Sequence, residues 1–327
     1  MKGKIVFEEH MAIQETIEDS KGFAGESGRW DAFTQELLDM DNQRIETMDN
    51  TGIEMAILSL NAPAVQAILD TDQAIEVSRK ANDAMAAAVK RHPTRYTALA
   101  ALPMQDPAAA SAELERCVNE LGFKGALVNG FTQKDVEDSA LYYDMLQYRD
   151  FWATVSALDV PFYLHPRMQI LSQSKNMEGH PWLRSSPWGF AVETSIHALR
   201  LCGSGLFEDF KNLNIIIGHQ GENIPYSLWR IDARMAFSPR GYRGKRPLGD
   251  YFREHFHVTT SGNFNDATFR CALEVLGKDR LYFCSDYPFE RMKDAADWFD
   301  NTDVITDEER MQIGRRNAIE LFKLDID

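Results

Sequence analysis

Cysteine is scarce in this chain, and what there is lies far apart. Cys117, Cys202, Cys271 and Cys284 are spread over 327 residues without a C-x-x-C pair. That spacing argues against a disulfide framework and a cysteine zinc knot. Three of the four fall in apolar runs, as reduced core residues of a cytoplasmic protein do. Long apolar runs are also missing: none approaches the ~20 residues of a membrane helix. Met1-Lys2-Gly3 leads straight into a strand, with no signal-peptide pattern. Positive charge is in deficit, with 35 Lys and Arg against 50 Asp and Glu and a net charge of −15. Such a surface repels nucleic acid and anionic membranes, while a local basic pocket can still take a small anion. No repeat or low-complexity linker divides the chain. We expect one domain over 1–327, an ordinary length for an α/β barrel.

What the chain does have is alternation. Eight β-like runs begin at Lys4 (KIVFEE), Glu54 (EMAILSL), Arg95 (RYTALAAL), Lys124 (KGALVNG), Val160 (VPFYLHP), Leu213 (LNIIIGH), Phe256 (FHVTTSG) and Arg280 (RLYFCSDYP). They are nearly continuous in apolar residues, the pattern of strands buried on both faces. Between them the periodicity predicts helices near 33–48, 74–90, 142–158 and 192–207, and one with Pro107 in its first turn. The last predicted helix is capped by Thr306, with Glu309 three residues on. The simplest architecture is a (β/α)8 barrel of TIM type with a C-terminal helix. Irregular insertions follow strand 1 (13–29) and strand 5 (168–189), where they would cover the catalytic face or meet another subunit.

Barrel enzymes carry their chemistry at the C-terminal ends of the strands. Those ends hold Glu8 and His10, Asn61, Asn129, His165, His219 with Glu222, Ser261, and Asp286; the opposite ends carry no comparable set. Glu8 and His10 are two apart and share one side of a strand, while Glu9 faces the other way. A buried carboxylate without a counter-charge is expensive, and a divalent metal supplies one. Two imidazoles and two carboxylates from Glu8, His10, His165 and Asp286 suit one Zn or Mn ion per chain. His92, His180, His197, His255 and His257 fall in helices, loops or strand starts and read as structural, with His180 in a loop able to cover the pocket.

EEH on strand 1, FYLHP on strand 5, GHQGE on strand 6 and SDYP on strand 8 resemble the amidohydrolase superfamily in its decarboxylase branch. GFKGALVNGF, LNAPAVQAI, ALPMQDP and TTSGNF are similar to the γ-resorcylate (2,6-dihydroxybenzoate) decarboxylases, and the resemblance runs over essentially the whole chain. It implies Glu8, His10, His165 and Asp286 as metal ligands, and His219, Glu222 and Arg230 as further active-site positions. It implies Phe23, Phe190 and Phe289 as walls of an aromatic pocket. Asn61 and Asn129, at the ends of strands 2 and 4, are the remaining expected substrate contacts. His10 favours the γ-resorcylate type, since 2,3-dihydroxybenzoate and salicylate relatives have Ala there. Two positions depart from the pattern at the pocket rim, where ring substitution is read. HPRMQILSQ lacks the usual Asn-Pro after the Arg, and Tyr287 stands where Trp is common.

The activity so implied is reversible, non-oxidative decarboxylation of a small aromatic carboxylate, 2,6-dihydroxybenzoate first, with 2,3-dihydroxybenzoate or salicylate as alternatives. Asp286 would carry the proton to the ring, and His219 backed by Glu222 would orient the substrate. Arg230, two turns into its helix, would be a surface residue on a barrel; the resemblance alone gives it a role near the pocket. A one-metal hydrolase is the rival in the same superfamily. A two-metal one is disfavoured, because strand 4 ends in Asn129 and not in a bridging modified lysine. A homotetramer is implied by the resemblance, with HPWLRSSPWGF as a contact surface.

Overall fold

The computed structural model describes residues 1–25 and 28–326, so positions 26 and 27 of the first insertion lie outside the described residues. Among the described residues, eight strands form the barrel wall. They are β1 (Lys4–Met11), β2 (Ile53–Leu60), β3 (Tyr96–Ala98), β4 (Ala126–Asn129), β7 (Phe162–His165), β8 (Ile215–Ile217), β9 (Phe256–Thr259) and β10 (Leu281–Tyr282). Their ladders are parallel and form two arcs, β1-β2-β3 and β4-β7-β8-β9-β10. The arcs meet at two single bridges, Ala100 with Ala126 and Glu9 with Tyr287, so no continuous ladder laces the seams. An antiparallel hairpin, β5 (Thr132–Lys134) and β6 (Val136–Leu141), follows β4. It was not expected, because VEDSAL is exposed or half-exposed and breaks its apolar residues with Glu, Asp and Ser.

Several helices differ from their predicted bounds for local reasons. The helix expected at 33–48 is two, Trp30–Leu38 and Gln43–Thr51. Between them the Asp39 carboxylate accepts the N–H groups of Asp41, Asn42 and Arg44 at 3.0–3.2 Å, which turns the chain. The helix expected at 142–158 starts only at Arg149, and that at 192–207 is Gly189–Gly203 followed by the short Leu206–Asp209. Pro107–Asn119 begins as expected, with Asp106 accepting from Ala108 and Ala109. Thr306 and Glu309 form the predicted capping box, and the final helix passes through a π-turn at Gln312–Arg316.

The barrel interior explains where the first strand aims its side chains. Ile5 and Phe7 cluster with Leu99, Leu127, Tyr163 and Ile216 from the facing strands, and Phe322 and Leu324 pack against the same cluster. Strict alternation would then turn Glu8 and His10 outward. It does not, because Val6 pairs with Ala56 and Glu9 with Leu58: three steps on β1 match two on β2. One surplus residue forms a bulge and resets the alternation. Glu8 and His10 thus reach the barrel mouth. Glu9 turns behind it, where its buried carboxyl accepts from Ser285 Oγ at 2.6 Å.

Arg44 fastens the bulged strand from outside. It is fully buried, and its guanidinium donates to the carbonyls of His10, Glu36 and Asp39 while lying 4.7 Å over the Tyr287 ring. Arg44→Met keeps the stem but strands those carbonyls in the interior. We expect it to lower unfolding stability by about 3 kcal/mol, read from urea denaturation with the spread of metal content followed alongside.

Candidate metal and active site

Three strand ends bring the four ligand candidates together. Glu8 and His10 come from the bulged end of β1, His165 closes β7, and Asp286 follows β10. Glu8, His10 and His165 are buried and Asp286 nearly so, and one donor atom from each lies within 4.8 Å of all the others. Glu8 sits deepest. Its Oε2 accepts from Tyr163 Oη and, at 3.0 Å, from Thr259 Oγ1. Its Oε1 faces His165 Nε2 at 3.4 Å and His219 Nε2 at 3.8 Å. Burial works against its charge, yet His165, His219 and His10 outweigh burial and hold the carboxyl well below its usual range. His10 is fixed by Ser59 Oγ at 3.1 Å from Nδ1, which leaves Nε2 3.3 Å from Asp286 Oδ1. Burial pushes His165 below its ordinary value, which favours the neutral imidazole that a metal would need.

The second layer is built on unusual backbone. His219 (φ +52°), Gln220 (+61°), Glu222 (+57°) and Asp286 (+74°) all adopt the left-handed region, which costs a non-glycine residue about 1–3 kcal/mol. The turn after β8 thereby folds back on itself. Glu222 Oε1 meets His219 Nδ1 at 2.8 Å, and His219 Nε2 points at Asp286 Oδ2, 3.7 Å away. Burial opposes an imidazolium there, but Glu222, Asp286 and Glu8 raise His219 well above its ordinary value. Two glycines leave the needed room. A Cβ on Gly218 would stand 3.1 Å from Glu8 Oε1, and one on Gly262 (φ +59°) 2.9 Å from His219 Cδ2.

The residues fit a metal. Glu8 Oε1 and His10 Nε2 are buried polar atoms without a hydrogen-bond partner, the state that an ion beside them would relieve. Two imidazoles and two carboxylates are a borderline-hard set suited to a divalent first-row ion.

Above the cluster lies a cavity of about 200 Å³ floored by His165, His219 and Asp286 and walled by Phe23, Phe33, Phe190 and Phe289. Pockets for drug-sized ligands run to roughly 300–1,000 Å³, so this one suits a single ring. The rings of Phe23 and Phe190 meet edge to face at 5.4 Å, and Phe289 lies 5.3 Å from Phe23 and 5.7 Å from His10. Glu290 stands at the mouth, its carboxyl raised by burial and by Asp286.

Not every expected contact reaches this cavity. Asn61 is buried but engaged within the protein: its amide donates to Thr16 O and Ser20 Oγ, and its carbonyl accepts from Thr16 Oγ1. It anchors the first insertion. Asn129 donates to Asn61 O at 3.0 Å and keeps a buried, unpartnered Oδ1. Arg230 does not line the cavity of its own chain; it is exposed on the helix Ile224–Phe237, as a barrel helix dictates. Tyr163, Thr259, Gly218 and Gly262 escaped the sequence reading. Tyr163 alternates with His165 and carried a signal. Phe33 sits in a helix whose apolar face reads as core. His197 is structural as expected, its Nε2 accepting Tyr143 N–H at 3.0 Å.

Comparison with known proteins gives the site its relatives. A family model for amidohydrolases matches residues 30–324. The chain belongs to the amidohydrolase family. It is 53% identical over 327 residues to a γ-resorcylate decarboxylase of Rhizobium radiobacter, covering 99% of each chain. The solved structure of 2,6-dihydroxybenzoate decarboxylase complexed with 2,6-dihydroxybenzoate superposes with a TM-score of 0.96 at 53% identity, over 99% of this chain and 100% of that one. A dihydroxybenzoic acid decarboxylase from Polaromonas sp. JS666, with bound manganese and the inhibitor 2-nitroresorcinol, also gives 0.96 at 52% identity, over 100% of this chain and 98% of that one. These full-length matches identify the two arcs as a TIM barrel. Among the described residues no helix is long and apolar enough to cross a membrane.

The cluster predicts one divalent ion per chain. Stripping it with a chelator is expected to lower stability by about 3 kcal/mol relative to protein with metal a hundredfold above its Kd. Elemental analysis beside thermal unfolding checks both statements.

Proposed function

We propose that this chain is a metal-dependent carboxy-lyase that removes CO2 from 2,6-dihydroxybenzoate to give resorcinol, reversibly and without redox change. The observation that carries the reading is the buried Glu8–His10–His165–Asp286 cluster opening on a one-ring aromatic cavity. The full-length similarity to γ-resorcylate decarboxylases gives the ring pattern. We take the ion to be manganese, as in the Polaromonas relative, with zinc the alternative.

A bound divalent ion supplies a Lewis acid that holds an ortho-hydroxy carboxylate in place and favours its phenolate. The remaining work falls to the side chains. Phe23, Phe190 and Phe289 hold the ring and exclude water. His219, its Nδ1 fixed by Glu222, turns Nε2 into the cavity as a donor to the substrate oxygens. Asp286 accepts the proton of the ortho hydroxyl and delivers it to C1. The electrons of the C1–carboxyl bond then restore aromaticity as CO2 leaves, and solvent returns one proton to the product oxygen. Asn61 and Asn129 support the pocket through the first insertion, and Arg230 belongs to a surface rather than to its own chain's chemistry.

We further infer a cytoplasmic homotetramer built from a single domain over the whole chain. Four free cysteines, three of them buried, support a reducing compartment. Tyr226, Trp229 and Phe237 are 80–90% exposed on one helix, and Trp182 and Trp188 stand out from the second insertion. Apolar surface of that kind marks subunit contacts. Light scattering at micromolar concentration should return four chains per particle; a monomer sinks this part.

Asp286→Asn keeps the size and a ligand oxygen but cannot carry the proton. Turnover of 2,6-dihydroxybenzoate, followed as CO2 and resorcinol, should fall by a factor of ~10² or more with most of the metal retained. Metal and activity lost in parallel would instead point to His219 as the carrier, and His219→Asn should then stop turnover with metal intact. Assaying the 2,3- and 2-hydroxy isomers on the parent enzyme tests the ring pattern.

A further inference from the structure

Behind the His219–Glu222 pair lies a third carboxyl that the proposed chemistry does not use. Glu193 sits in the second turn of the helix Gly189–Gly203, is 1% exposed, and neither of its oxygens makes a hydrogen bond of ordinary geometry. Its Oε2 is packed against the end of β4, where a Cβ on Gly130 would stand 3.1 Å away. The same missing Cβ leaves room for Arg167, whose Cγ would be 2.5 Å from it. Arg167 is itself buried. It donates to Gln66 O, Phe131 O and Gln133 Oε1, stacks 4.3 Å over the Phe131 ring, and keeps an unpartnered Nε. A guanidinium in such a place needs a counter-charge.

Glu193 is the carboxyl that faces Arg167, while Glu222, on the other side of Glu193, is engaged by His219. The helix carrying Glu193 is tied to the same turn, since Ser195 Oγ accepts the N–H of Asn223 at 3.3 Å. It also contributes Phe190 to the substrate wall. We propose that Glu193 is a positioning residue: its carboxylate answers the charge of Arg167 and so fixes the helix whose Ser195 holds the Asn223 turn, which keeps Glu222 on His219 and His219 aimed into the pocket. This role rests on the decarboxylase reading above.

The groups facing Glu193 come from four segments. Arg167 follows β7, Tyr142 and Tyr143 follow β6, Glu222 follows β8, and Arg200 and His197 lie further along its own helix. Burial raises the Glu193 carboxyl to about 7; Arg167 and Tyr142 pull it down and Glu222 pushes it up. Its charge is therefore shed within the working pH range. Protonated Glu193 and glutamine are alike in shape and charge, which makes Glu193→Gln a mimic of the acid form.

The experiment is a pH–rate profile with 2,6-dihydroxybenzoate for the parent, Glu193→Gln and Glu193→Asp, with metal content measured for each. The parent kcat should rise through one ionisation near 7. Glu193→Gln should lack that ionisation and run roughly tenfold below the parent at pH 8, the scale of lost supporting contacts, with KM and metal unchanged. Glu193→Asp should restore the step in part. A Glu193→Gln profile that keeps the parent's ionisation, a kcat at pH 8 within twofold of the parent, or metal lost in proportion to kcat each overturns the proposal. Thermal unfolding tests it without substrate. A carboxyl raised from about 4.3 when unfolded to about 7 when folded leaves stability whole in acid and takes it away as pH climbs between the two values. The midpoint of Glu193→Gln should thus gain on the parent between pH 5 and 8. A constant difference means Glu193 does not titrate there and ends the proposal. A parent that turns over no hydroxybenzoate sinks the function instead, and the unfolding comparison still decides on Glu193.

Discussion

One buried negative charge organises this molecule. Glu8 is fully enclosed at the mouth of the barrel, and a carboxylate there is tolerable only if its surroundings answer it. Tyr163 and Thr259 donate to one oxygen; the other is left to His165, His219 and an ion. The remaining architecture follows from meeting that demand at short range. β1 must bulge to deliver the carboxylate, Gly218 must lack a side chain above it, and four non-glycine residues accept left-handed backbone to bring His219, Glu222 and Asp286 close. Such local strain persists because the parallel wall beneath is rigid and fully buried.

The aromatic cavity has a different origin. None of its Phe walls belongs to a strand. Phe23 comes from the first insertion, Phe33 from the helix after it, Phe190 from the helix that follows the second insertion, and Phe289 from the segment after β10. The barrel therefore sets the chemistry and the loops set the size of what reaches it. This division lets one scaffold serve several related reactions.

Much of this was legible in the sequence, for a physical reason. Strands buried on both faces are continuous apolar runs, and polar residues ending such runs, as in FYLHP and CSDYP, have little reason to be there except chemistry. What stayed hidden lacked such contrast. The hairpin β5–β6 has no continuous apolar run. The break after Leu38 depends on a single Asp39 side chain. Asn61 looks like a substrate contact because it ends a strand, yet its three hydrogen bonds face inward to Thr16 and Ser20. Arg230 illustrates the converse: helical position alone put it on the surface, and it lies there.

The bulge in β1 changes what it means for this centre to be encoded. Glu8 and His10 face inward because of a count, one residue more on β1 than on β2 between Val6 and Glu9, and not because of their own chemistry. The strand is read in a frame of two. Gain of a single codon between Glu8 and His10 would leave all four ligands in the gene and turn one of the first two toward the helices. Point substitution leaves the frame intact and removes ligands one at a time. A column-by-column comparison of related chains, which tallies ligands as present or absent, would thus count a complete centre in a protein whose frame had slipped and whose barrel mouth lacked one of them.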